Sequence, residues 1–135
     1  MIPKVLIADD EAHMLRVAEL ALRRGGYSIL IARNGREAVD ITRAEKPLLI
    51  VMDVQMPVLD GLGALREIKA DPATAAIPVI MLTARGHTLA RSEAEGSGAA
   101  IFITKPFSPN QLLADVQRLL GPSGPVAAPA GLPGA

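Results

Sequence analysis

Four short apolar runs in this chain each end in residues that could do chemistry. Asp9-Asp10 follow Val5-Leu6-Ile7-Ala8, Asp53 follows Leu48 to Met52, Thr83 follows Pro78 to Leu82, and Lys105 follows Ala99 to Thr104. Carboxylates held a few ångströms apart repel, which raises their pKa values and costs stability unless a cation sits among them. Oxygen-only ligands favour a hard divalent ion, and a small ligand set that keeps some water favours Mg²⁺ over Ca²⁺. Such an ion would hold a phosphoryl group against Asp53, whose carboxylate can act as a nucleophile. Thr83 can hydrogen-bond one phosphoryl oxygen while Lys105 offsets charge on another. The set is suited to forming an acyl phosphate on Asp53 and also to hydrolysing it.

Each residue also has a plainer reading. Asp9 and Asp10 could be acids favoured by a helix dipole. Asp53 could cap the turn that follows it. Thr83 could be an ordinary strand-end residue and Lys105 a solvated loop charge. Chemistry requires that all of them meet, and that depends on the elements carrying them.

Leu48 to Met52 is too short for a lone helix and reads as a strand buried on both faces. Val5 to Ala8, Tyr27 to Ala32, Pro78 to Leu82 and Ala99 to Thr104 read as the other strands. Between them, Met14, Val17, Ala18, Ala21 and Leu22 form a helical stripe that Gly25-Gly26 ends. Asn34 with Glu37 resembles a capping box, opening a helix with Ala38 and Ile41 inward. Asp60-Gly61 opens a third helix carrying Leu62, Leu65 and Ile68. His87 to Glu95 predicts a helix with a thin apolar stripe (Leu89, Ala90, Ala94). Ser108-Pro109-Asn110-Gln111 opens the last one, with Leu112, Leu113, Val116, Leu119 and Leu120 on one side.

Strands alternating with helices predict an α/β fold: a doubly wound, five-stranded parallel sheet in the order 2-1-3-4-5, flavodoxin-like. In that order strands one, three and four are neighbours. Their carboxyl ends bring Asp9, Asp10, Asp53 and Thr83 to one rim, where ligands bind in such sheets, and Lys105 reaches in on its long stem.

The 135 residues predict one domain over 1–121 followed by a flexible Pro/Gly/Ala-rich tail over 122–135. Fourteen basic and fourteen acidic residues cancel without a dense basic cluster, which argues against direct nucleic-acid binding. The absence of Cys removes disulfides and thiolate metal sites and suits the cytoplasm. The apolar runs fall short of a membrane span, and Met1-Ile2-Pro3-Lys4 leads straight into a strand without room for a signal peptide.

In Asp9-Asp10, Met52-Asp53-Val54-Gln55-Met56-Pro57, Asp60-Gly61, Thr83-Ala84 and Lys105-Pro106-Phe107, over roughly residues 4 to 120, the chain resembles the receiver domain of two-component response regulators, of the chemotaxis-regulator type. The resemblance implies that Asp53 is the phosphoacceptor and that Asp9, Asp10, Asp53 and the backbone carbonyl of Gln55 bind Mg²⁺. It implies that Thr83 and Lys105 serve phosphoryl transfer, that Thr83 and Phe102 form the switch, and that a cis peptide bond precedes Pro106. The donor would be a sensor histidine kinase or a phosphotransfer protein. The downstream protein would dock on the face of the fourth helix, fifth strand and last helix, which phosphorylation remodels. Phe102 has a plainer reading as core packing. The thin helix over His87 to Glu95 suits such a switch, since few apolar contacts lower the cost of rearrangement. The module is then no turnover enzyme, its only reactions being Mg²⁺-dependent phosphorylation from a donor and its own dephosphorylation.

Departures lie at the partner surface and beside the site. Ala100-Ile101 precede Phe102 where many relatives carry acids, and Gln55 and Arg85 occupy variable positions that often tune dephosphorylation. A phosphohydrolase would want an acid where Gln55 stands. A flavin or nucleotide carrier would want a Gly- or Ser/Thr-rich loop in place of Asp9-Asp10-Glu11. A receiver portion of a longer regulator and a non-phosphorylated interaction module of the same shape remain as alternatives. His13 and His87 read as surface residues.

Overall fold

Every side chain of the strand Leu49–Asp53 is buried, so this strand is covered on both faces and stands at the centre of the sheet. The computed structural model describes residues 3–84 and 96–120. In chain order the elements are β1 (Lys4–Ala8), α1 (Ala12–Arg24), β2 (Ser28–Ala32), α2 (Gly35–Glu45), β3 (Leu49–Asp53), α3 (Gly61–Ala70), β4 (Val79–Thr83), β5 (Ile101–Thr104) and α4 (Pro109–Leu120). All strand pairs are parallel, in the order β2-β1-β3-β4-β5. This is the doubly wound, flavodoxin-like arrangement expected from the sequence.

The two faces of the sheet bury separate cores. Leu6, Ile50, Met52, Val79 and Met81 pack with Ala38, Val39, Leu65 and Ile68 of α2 and α3. Val5, Ile7, Leu49, Val51, Ile80 and Leu82 pack with Leu15, Ala18, Leu22, Leu112 and Val116 of α1 and α4. Strand alternation thus sends neighbouring residues to opposite helix layers.

Several expectations need correction. Leu48 lies outside β3 and is exposed, because the chain has not yet passed beneath the helices there. In α1 the buried stripe is Leu15, Ala18, Ala21 and Leu22, whereas Met14 and Val17 are only half-buried. In α2, Val39 and Thr42 are buried with Ala38, and Ile41 is half-buried. In α3, Leu62 is also half-buried. β5 begins at Ile101 instead of Ala99, and its side chains are only partly covered because it is an edge strand.

The helix ends follow the sequence signals closely. Gly26, with φ +90, donates to Arg23 O at 3.0 Å and closes α1. Asn34 Oδ1 accepts from Glu37 N at 2.8 Å, but Glu37 Oε1 reaches back to Arg33 N, one residue before the position a capping box uses. Asp60 Oδ1 accepts from Gly63 N, and Ser108 Oγ from Gln111 N. The expected helix over His87 to Glu95 and the tail over 122–135 lie outside the described residues. Among the described residues no helix is long and apolar enough to cross a membrane.

Candidate functional site

The carboxyl ends of β1 and β3 are adjacent, with Ala8 in register with Met52, so Asp9 and Asp53 emerge side by side. Both are buried, at 1% and 5% exposure, while Asp10 is exposed. Carboxylate oxygens of Asp9, Asp10 and Asp53 all lie within 4.8 Å of one another. Backbone donors fix the two buried acids: Glu11 N donates to Asp9 Oδ1 at 3.0 Å and Gln55 N to Asp53 Oδ1 at 3.3 Å.

Lys105 crosses from the end of β5 to this cluster. Its backbone N donates to Thr83 O at 2.7 Å, which ties the loop to the end of β4, and the Lys105–Pro106 peptide bond is cis. Its Nζ lies 3.0 Å from Asp9 Oδ2, 3.1 Å from Asp53 Oδ2 and 3.4 Å from Glu11 Oε1. The contact with Asp9 Oδ2, a buried oxygen, is a close ion pair.

The electrostatics follow from this crowding. Burial first, and then the charge of Asp9, push the Asp53 carboxyl above its ordinary pKa, against the opposing pull of Lys105 and the Gln55 N–H. Burial works against the Lys105 ammonium, but Asp9 and Asp53 outweigh it and raise its pKa. One cation therefore serves several acids. Asp9 Oδ2, buried and facing only the Lys105 ammonium, lies beside two further carboxylates, and an oxygen cluster of this kind fits a hard divalent ion.

A cleft of about 530 Å³ opens above Asp53, lined by Asp10, Glu11, Met14, Asp53, Gln55, Ala84, Lys105 and Pro106. Thr83 does not line it. Thr83 is buried at the end of β4, one residue beyond Leu82, the register partner of Asp53. Phe102 is in register with Met81 and packs on the α2/α3 side of the sheet. By strand alternation Thr83 shares that side with Met81 and Phe102. Of the residues expected at the site, the structure brings together Asp9, Asp10, Asp53, Gln55 and Lys105, with Thr83 beside them and Phe102 further along the same face. Arg85 lies outside the described residues, and His13 is exposed.

Sequence reasoning missed Glu11 and Met14 as cleft residues. Glu11 reaches Lys105 across 94 positions, a contact that no local spacing signals. The helical stripe places Met14 in the core, yet its position one turn after Asp10 puts it equally near the rim.

Residues 5–117 match the family model of the response regulator receiver domain. The chain belongs to this family. The receiver domain is 39% identical over 130 residues, 96% of this chain, to a probable transcriptional regulator, ycf27, of Porphyra purpurea, of which it covers 52%. It is 39% identical over 90% of its length to the phosphate regulon transcriptional regulatory protein PhoB of Pseudomonas aeruginosa, covering 53% of that protein. The chain thus spans about half the length of these curated relatives. A putative response regulator from Chloroflexus aurantiacus superposes with a TM-score of 0.82 at 32% identity, over 89% of this chain and 98% of that one. The receiver domain of a sensor histidine kinase from Pseudomonas aeruginosa PAO1, solved with magnesium coordinated in its active-site cleft, superposes with a TM-score of 0.81 at 31% identity, over 90% of this chain and 99% of that one.

Proposed function

We propose that this receiver domain accepts a phosphoryl group on Asp53 from a sensor histidine kinase or a phosphotransfer protein, and that the aspartyl phosphate switches a protein-binding surface. The observation that carries this reading is the Asp53 carboxylate itself. It is buried at the carboxyl rim of the central strand, opens into a cleft, hydrogen-bonds Lys105 and has Asp9 and Asp10 oxygens within 4.8 Å.

In the transfer, an Asp53 carboxylate oxygen attacks phosphorus and forms a new P–O bond. The bond from phosphorus to the donor nitrogen breaks, and its electron pair leaves with the donor. Asp53 must be ionised to attack, and Lys105 favours that form against the effect of burial. Once the phosphoryl group is in place, Lys105 offsets the charge on one of its oxygens and Thr83, drawn in from the neighbouring strand end, donates its hydroxyl to another. Asp9, Asp10, Asp53 and the Gln55 carbonyl would hold Mg²⁺, which supplies positive charge to the phosphoryl oxygens. Hydrolysis reverses the capture, with water attacking phosphorus and Asp53 departing as carboxylate. Gln55 offers no acid to speed another leaving group, which suits a phosphoprotein more than a phosphatase.

Signal output follows from the shared face of Thr83 and Phe102. Thr83 drawn toward the phosphoryl group vacates volume on that face, and Phe102, half-buried on an edge strand, can turn inward to fill it. The outer surface of β5 and α4 changes with it, and a downstream protein reads the change.

The test is intact mass after incubation with acetyl phosphate, with and without Mg²⁺. Wild type should gain ~80 Da only with Mg²⁺. Asp53→Asn should gain nothing, while Thr83→Ala and Lys105→Ala should gain less or lose the group at a different rate. A full gain on Asp53→Asn would overturn the assignment.

A further inference from the structure

Lys105 serves three acids, and they are not equivalent. Asp9 and Asp53 are buried, at 1% and 7% side-chain exposure, and belong to the cluster that would hold a divalent ion. Glu11 stands at the rim, 63% exposed, and its carboxylate makes no cap to α1 although Glu11 occupies the N-cap position. Its backbone N–H is pinned to Asp9 Oδ1 at 3.0 Å, so the base of this side chain is fixed relative to the cluster.

We infer that Glu11 is a positioning residue for Lys105, holding the ammonium in the cleft when a divalent ion occupies the acid cluster. The inference rests on the phosphoacceptor reading above and deepens it. A cation bound among Asp9, Asp10 and Asp53 neutralises the acids that now attract Lys105 and repels its ammonium at short range. Asp9 and Asp53, now 3.0 and 3.1 Å from Nζ, are the contacts for which that cation competes. Glu11 is outside the cluster, keeps its charge and accepts a hydrogen bond from Nζ at 3.4 Å. It keeps Lys105 at the mouth, above Asp53, where the oxygens of an arriving phosphoryl group must lie. Without Glu11 the long lysine stem has solvent as its alternative.

The experiment is a double-mutant cycle read by beryllofluoride binding in the presence of Mg²⁺, a non-turnover mimic of the phosphoryl group. Glu11→Ala should weaken binding about threefold to fivefold, the size of a half-exposed ion pair. Glu11→Gln, which keeps an acceptor without the charge, should fall between. In the Lys105→Ala background Glu11→Ala should produce no weakening, because its effect passes through Lys105. Losses of equal size in both backgrounds, or no loss on wild type, would overturn the inference. A second readout needs no ligand. With only four lysines in the chain, the Lys105 ammonium signal can be assigned by NMR against Lys105→Arg. With Mg²⁺ bound, Glu11→Ala should speed its hydrogen exchange, and an unchanged signal counts against the tether. Wild type that binds no beryllofluoride would overturn the phosphoacceptor reading and this inference with it, whereas wild type that binds as tightly as Glu11→Ala overturns the inference alone.

Discussion

Lys105 Nζ donates to Asp53 Oδ2 at 3.1 Å, joining residues 52 positions apart at the rim of one sheet. The pair is unbalanced in a measurable way. Even with Lys105 beside it, burial and then the Asp9 charge leave the Asp53 carboxyl with a pKa above its ordinary value.

A folded state that raises a carboxyl pKa binds that proton more tightly than the unfolded chain does. Between the unfolded value near 3.8 and the higher folded value, the folded state holds more protons, so this group's contribution to stability falls as pH rises. Above the folded value the deficit is complete. Asp53→Asn, a neutral isostere, should therefore be more stable than wild type at pH 7, and the gain should shrink as pH drops through the window. Urea unfolding of both proteins at several pH values checks this. A mutant less stable at pH 7, or a difference that ignores pH, contradicts it. Adding Mg²⁺ should narrow the gap by stabilising wild type more than the mutant, which lacks one carboxylate ligand.

Gly61 opens α3 where a Cβ would sit 2.0 Å from the backbone oxygen of Asp53. The close approach lets Gly61 N donate to Val54 O at 2.8 Å and brings the helix start against the end of β3. Gly61→Ala must displace backbone, which has less room to yield than a side chain. The expected cost is about 2–3 kcal/mol in chemical denaturation. Phosphorylation of the folded fraction should also slow, because the displaced group carries Asp53. A purely stabilising or neutral outcome would mean that the strand end moves freely.

The sheet order and the meeting of Asp9, Asp53 and Lys105 were legible because they depend on coarse features. A strand buried on both faces is apolar throughout, and alternating strands and helices leave few topologies. Finer assignments were not legible, for physical reasons. The run Leu48 to Met52 is uniformly apolar, so its pattern cannot show that coverage begins only at Leu49. In α1, stripes through Met14 and through Leu15 share Ala18 and Leu22, and only the sheet beneath the helix decides which is buried. Glu11 simply follows the acid pair Asp9-Asp10, and its partner lies beyond a strand end that no local pattern connects to it.

Thr42 is fully buried on α2, and its Oγ1 finds no hydrogen-bond partner among the described residues. An unsatisfied buried hydroxyl keeps a desolvation cost that an apolar group of the same shape lacks. Thr and Val differ little in helix propensity. Thr42→Val should therefore stabilise the domain by about 1 kcal/mol and leave phosphorylation unchanged, as urea titration and intact mass would show. Destabilisation of similar size would reveal that the hydroxyl holds a water.

Val58 and Lys46 are the two non-glycine residues with positive φ among the described residues, at 71° and 46°. At Val58, Leu59 N donates to Pro57 O at 2.8 Å, which makes a γ-turn centred on a β-branched residue that is 81% exposed. Nothing packs to repay the strain, which for such backbones is about 1–3 kcal/mol. Glycine removes it but adds about 0.5–1 kcal/mol of unfolded-state entropy. Val58→Gly should therefore gain about 1 kcal/mol on balance. Lys46→Gly should gain less, because an unbranched side chain tolerates the left-handed region better and because Lys46 Nζ donates to Arg43 O. The order of the two gains is the test, and equal gains would mean that β-branching adds no strain in this turn. The rate of phosphorylation of Val58→Gly then separates two roles for the turn. An unchanged rate makes it a connector, while a slower one shows that the strained turn helps to hold Asp53 for attack.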